Sequence, residues 1–111
     1  MLIPLEVSPQ EVQERFAKGE RLALIDVREP EEFAITRIEG AQLFPMPSVP
    51  RQLQNLEALA DDGDLVIICH HGVRSLQVAS WLREQGLDNC SSLAGGIDRW
   101  SREIDPAVLR Y

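Results

Sequence analysis

The chain has 111 residues, 44% apolar and 26% charged, an ordinary balance for a soluble globular protein and a length that can bury a core without metal or disulfide staples. Its formal charge of −7 argues against nucleic acid as a partner, because phosphate contacts need clustered Lys and Arg, and it sets a general repulsion against any anionic substrate. Two cysteines make no disulfide framework, Met1 to Glu6 carry no basic leader region, and no apolar run approaches the ~18 residues of a membrane span, so a cytoplasmic protein with no membrane partner is expected.

Residues 1–111 read as a single domain in which short apolar runs alternate with helical patterns. Ser8-Pro9-Gln10-Glu11 is a helix start, with Ser8 as N-cap and Pro9 at the first position, and Gly19 stops the helix after Lys18. Leu22 to Val27 reads as a buried strand, and Pro30 opens a short helix whose first turn holds Glu31 and Glu32. Gln42-Leu43-Phe44 is a short strand candidate, and Pro45, Pro47 and Pro50 predict an extended loop. Arg51 to Ala60 is helical, Asp61-Asp62-Gly63-Asp64 is a solvated turn, and Leu65 to Ile68 is the clearest buried strand. Ser75 to Gln85 is helical, Asn89 to Leu93 a last strand and Gly96 to Arg102 a last helix. The alternation predicts an α/β fold, a mostly parallel central sheet with helices on both faces, whose sites lie at the carboxyl ends of the strands.

Cys69 falls at such an end. Its segment, Cys69-His70-His71-Gly72-Val73-Arg74-Ser75, passes from a strand through a Gly turn into a helix N-terminus, where N–H groups converge and the dipole favours negative charge. Thiols in such places ionise more readily than free Cys, at about 8.5, and the thiolate is the nucleophile. The alternative for Cys69 is a buried core thiol. Cys69, His70 and His71 are adjacent and close poorly on one ion, so no metal site is expected.

Three segments together resemble the single-domain rhodaneses, the thiosulfate sulfurtransferase family: Asp26-Val27-Arg28-Glu29-Pro30-Glu31-Glu32-Phe33, the Cys69–Ser75 loop with Ala79-Ser80-Trp81-Leu82, and Leu93-Ala94-Gly95-Gly96-Ile97-Asp98-Arg99-Trp100. Where the family often has Gly-His-Ile-Pro-Gly-Ala, this chain has Thr36-Arg37-Ile38-Glu39-Gly40-Ala41. The resemblance implies a rhodanese-like fold and a reaction in which Cys69 takes a sulfane sulfur from thiosulfate or another small-molecule donor. It holds that sulfur as a persulfide and passes it to cyanide or a thiol, an acceptor protein included, a reaction for which no cofactor is expected. The persulfide would sit among the N–H groups of His70, His71, Gly72, Val73, Arg74 and Ser75. A sulfur relay or regulatory module that docks a partner, with little thiosulfate activity, is the alternative.

Cysteine phosphatases and arsenate reductases place Arg six positions after the nucleophile. Here Arg74 is five positions after Cys69 and Ser75 is the sixth, a smaller ring that suits one sulfur better than an oxyanion. Arg74 either steers an anionic donor or pairs with an acid to brace the loop. Asp26 and Arg28 read as an ion pair or hydrogen-bonded brace, and Arg37 as a candidate anion contact. Trp81, Trp100 and Cys90 read as packing residues. The functional reading requires the Cys69 sulfur to point into the ring and to be reachable from solvent.

Overall fold

The computed structural model describes residues 4–111; Met1 to Ile3, part of the amino-terminal stretch read above, lie outside the described residues. The elements are β1 (Glu6–Val7), α1 (Pro9–Ala17), β2 (Leu22–Asp26), α2 (Pro30–Ile35), β3 (Gln42–Leu43), α3 (Leu53–Asp62), β4 (Asp64–Ile68), α4 (Val73–Glu84), β5 (Cys90–Leu93) and α5 (Gly96–Glu103). The five strands form one sheet in the order β1-β5-β4-β2-β3, and every pairing is parallel.

Leu65, Val66, Ile67 and Ile68 put β4 at the centre because a strand covered on both faces must be apolar throughout. Leu65 and Ile67 face one cluster, with Ile25, Leu56 of α3, and Val78 and Leu82 of α4. Val66 and Ile68 face the other, with Val12 of α1, and Ile97 and Trp100 of α5. Burying each such side chain contributes about 1.5–3 kcal/mol of transfer free energy. The two clusters are why helices cover both faces.

Local chemistry sets the ends. Ser8 caps α1 by accepting from the Glu11 N–H at 3.1 Å, as the sequence pattern implies. Asp61, Asp62 and Asp64, read as a solvated turn, belong instead to the end of α3 and the start of β4, with Gly63 alone between them, and two further details stand out. The Pro45–Pro50 segment is not extended: it winds into two 3₁₀ turns, Met46–Ser48 and Pro50–Gln52. Proline supplies their first-position φ, and the Ser48 hydroxyl donates back to the Pro45 carbonyl at 2.7 Å. β1, two residues long, adds an edge strand that no periodic signal announces. Among the described residues no helix is long and apolar enough to cross a membrane.

Candidate active site

β4 ends at Ile68, and the four residues Cys69 to Gly72 turn over the carboxyl edge of the sheet into α4, which begins at Val73. Gly72 makes the turn at φ +100°, a left-handed angle that other residues resist, and a Cβ there would sit 3.1 Å from the Gly95 nitrogen. The loop's own carbonyls are taken up by α5. The Ile97 N–H donates to the Cys69 carbonyl at 2.9 Å and the Asp98 N–H to the His70 carbonyl at 3.1 Å. Gly96 (φ +62°) permits this approach: a Cβ would meet those two carbonyl oxygens at 2.5 and 2.4 Å. The Gly95-Gly96 step thus clamps the loop to the first turn of α5.

The Cys69 Sγ points into the ring. It accepts from the Gly72 N–H at 3.1 Å and the Ser75 N–H at 3.3 Å. It also lies 3.3 Å from the Ser75 Oγ, which is 2.7 Å from the Ser92 Oγ on β5. As a thiol, Sγ donates to Ser75; as an anion it receives the Ser75 hydroxyl, with Ser92 behind it, so the pair of serines answers either state. Orientation meets the expectation, and access does not. Cys69 is only 1% exposed, because the turn folds over the sulfur and the α4 residues of the core pack beneath it. Reaction therefore requires the rim of the ring to open.

That rim is held by ionic contacts. Arg74 forms a two-pronged pair with Glu32 at 2.7 and 3.0 Å, the acid-paired bracing arrangement among the two readings of this residue. Glu32 also accepts from the Glu29 N–H at 3.0 Å and from the Tyr111 hydroxyl at 2.7 Å. These donors, Arg74 foremost, hold the Glu32 carboxyl down at about 2. Tyr111 lies flat on His70, which stacks in turn on His71, with centroids 3.9 Å apart in both pairs. Burial and the adjacent His71 keep the His70 imidazole below its ordinary value, favouring the neutral ring. Its Nε2 is buried without a hydrogen-bond partner.

Asp26 and Arg28 do form the expected brace. Arg28, fully buried, donates to Asp26 at 2.8–3.1 Å, to the Thr36 carbonyl at 2.7 Å and to the Tyr111 hydroxyl at 2.9 Å. It ties the end of β2 to α2 and the tail. Arg37 is exposed, with its guanidinium 4.3 Å over the Phe33 ring. Val73 is 67% exposed on the loop's outer side. One turn along α4, Met46, Val49, Pro50, Gln77, Val78 and Trp81 line an apolar hollow of about 230 Å³. Cys90 pairs with Leu65 at the opposite end of the sheet, four strand residues and thus about 13 Å from Cys69, beyond disulfide reach. Burial pushes its thiol up to about 12. Among the described residues no three His, Cys, Asp or Glu side chains gather as a metal site.

Four residues outside the expected set therefore shape the site: Glu32, Ser92, Gly96 and Tyr111. Gly96 lies in a motif already singled out and Glu32 in a helix first turn; Ser92 and Tyr111 have no local sequence signal.

Residues 8–103 match the family model described as the rhodanese-like domain. The chain is 37% identical over 107 residues to the thiosulfate sulfurtransferase GlpE of Haemophilus influenzae, covering 96% of both proteins. It is 34% identical to a sulfurtransferase of Allochromatium vinosum, covering 93% of this chain and 94% of that one. It is also 35% identical to the probable adenylyltransferase/sulfurtransferase MoeZ of Mycobacterium tuberculosis, but spans only 26% of that protein's length. Human single-domain sulfurtransferase TSTD1 superposes with a TM-score of 0.79 at 30% identity, covering 91% of this chain and 98% of that one. The strand order, the loop after β4 and these matches agree: the chain belongs to the rhodanese-like domain family.

Proposed function

We propose that the protein is a sulfurtransferase in which Cys69 takes a sulfane sulfur from thiosulfate or another donor, carries it as a persulfide and delivers it to cyanide or a thiol. The observation that carries this reading is the aim of the Cys69 Sγ at the Gly72 and Ser75 N–H groups, with the Ser75 and Ser92 hydroxyls behind. Fixed dipoles there suit an anionic sulfur and need no reorganisation during the reaction. The names of relatives that match over nearly their whole length, GlpE among them, support the same chemistry.

In the first step the Cys69 thiolate attacks the outer sulfur of the donor. An S–S bond to Cys69 forms as the donor's own sulfur–sulfur bond breaks, and its electron pair leaves with sulfite. The acceptor then attacks the terminal sulfur and restores the thiolate. No external oxidant or cofactor enters, and His70, His71 and Val73 serve as the outer wall of the loop. Arg74 counts against phosphoryl transfer, since it lies five positions after Cys69 rather than six and its guanidinium is doubly bonded to Glu32. Two unpaired thiols suit a reducing compartment such as the cytoplasm.

The 1% exposure of Cys69 favours a second reading, a relay domain whose loop opens only against a docked partner. One experiment addresses both. Thiosulfate should add one sulfur atom to the intact protein and support thiocyanate formation from cyanide, and Cys69→Ala should abolish both. A rate that survives Cys69→Ala would end the nucleophile assignment, whereas loading only in the presence of an acceptor protein would select the relay.

A further inference from the structure

Every arginine that adjoins the loop faces a carboxylate. Arg74 is doubly bonded to Glu32. Arg28 is buried on Asp26. Arg99, whose stem lies against Gly95 beside the loop, pairs with Glu103 at 2.8 Å. Arg102 and Arg110 both reach Asp98, at 3.2 and 2.8 Å. Asp98 is the residue whose N–H holds the His70 carbonyl. The remaining basic groups are His70 and His71, stacked face to face at 3.9 Å between Tyr111, Glu32 and Asp98, where like charges cannot both be carried cheaply. Val73, on the exposed outer side of the ring, is apolar. Among the described residues the mouth therefore offers main-chain dipoles and arginines already paired with acids, with Arg37 laid over the Phe33 ring, on a chain of net charge −7.

Such a mouth holds a single sulfur anion well and attracts a dianion poorly. Resting on the sulfurtransferase reading, we propose that the preferred donor is an organic sulfane-sulfur compound whose reacting end bears one negative charge, an organic thiosulfonate or a small-thiol persulfide, and that dianionic thiosulfate is a slow donor. The chemistry balances as before. Cys69 bonds to the outer sulfur, the donor's sulfur–sulfur bond breaks, and the electron pair leaves with a sulfinate or a thiolate.

The test is single-turnover loading of Cys69, read by intact mass, with benzenethiosulfonate, cysteine persulfide and thiosulfate, each rate normalised to that donor's rate with free cysteine. Both organic donors should exceed thiosulfate by about 10-fold or more at low salt. If only one does, its leaving group identifies which source the site accepts. The thiosulfate rate should rise as salt screens the repulsion, the opposite of a cationic mouth. Glu32→Gln, which leaves Arg74 without its counter-charge, should raise thiosulfate loading several-fold relative to both organic donors, a ratio that cancels any effect of a looser rim common to all three. The salt series on the unaltered protein stands even if that variant folds poorly. Thiosulfate loading that equals the organic donors, or that falls with salt, overturns the proposal while sulfur transfer stands. Loading by none of the three overturns the sulfurtransferase reading and this inference with it.

Discussion

Glu32 and Arg74, 42 positions apart, meet in a planar two-pronged pair whose oxygens also take the Tyr111 hydroxyl and the Glu29 N–H. One carboxylate thus joins α2, the first turn of α4 and the tail around the loop that bears Cys69. Glu32→Gln keeps the shape and halves the ionic character. It should destabilise the fold by about 1–2 kcal/mol, or about 4–8 °C in Tm. A melt within a degree of the unaltered protein would show that the pair contributes nothing measurable, as many exposed pairs do.

Gly96→Ala is expected to be far more damaging than its size suggests. The added methyl must occupy a left-handed φ of +62° and lie 2.4 Å from the His70 carbonyl oxygen, which is backbone and cannot swing aside. A loss of roughly 3 kcal/mol or more, with the loop detached from α5, should appear in urea unfolding. Near-normal stability would mean that the clamp is not needed.

Tyr111 offers a separable pair of changes. Phe at this position keeps the stack on His70 but loses the hydroxyl that joins Arg28 to Glu32, whereas Ala loses both. Tyr111→Phe should cost about 1 kcal/mol and leave the His70 titration near its native position. Tyr111→Ala should cost about 2 kcal/mol and let the His70 titration climb toward the ordinary value, because water reaches the ring. Titration of the His70 ring by NMR decides it; identical midpoints in the two variants would refute the shielding role.

Ser92→Ala removes the outer hydroxyl behind Cys69 without touching the sulfur. Loading of the persulfide should slow by roughly 3–10-fold, a fraction of what a direct oxyanion donor is worth, with stability changed by about 1 kcal/mol. An unchanged loading rate would mean that Ser75 acts alone.

Acid should weaken the fold in two stages. The fold favours neutral His70, so its contribution is present above the ordinary value of 6.5 and lost as pH falls below it. Glu32 is held down at about 2 from an ordinary 4.5, so its contribution is intact above 4.5 and lost as pH falls from there toward 2. Melting curves from neutral pH downward should show a shallow decline and then a steeper one. Glu32→Gln should flatten the second limb; an identical limb in that variant would assign it elsewhere.

What could be read from the residues was what short range determines. Ser8 caps the helix three residues ahead, Asp26 and Arg28 brace each other two residues apart, and the run from Leu65 to Ile68 followed by Cys69 announces a buried strand that delivers a cysteine to the carboxyl end of the sheet. Glu32 was visible only as a first-turn acid, because its partner arrives from the first turn of α4, 42 positions along the chain. Ser92 and Tyr111 reach the site through strand pairing and tail packing, and neither leaves a periodic trace. The Pro45–Pro50 segment failed for a different reason: proline fixes φ near a value shared by extended and 3₁₀ backbone, and only ψ, set here by Ser48 and its neighbours, separates them.

The placement of the two thiols has a consequence for turnover. With Cys90 buried at the opposite end of the strands, a sulfur loaded on Cys69 has no internal partner able to discharge it as a disulfide. The proposed carrier would be a one-seat vehicle, and a visiting nucleophile would have to collect each passenger.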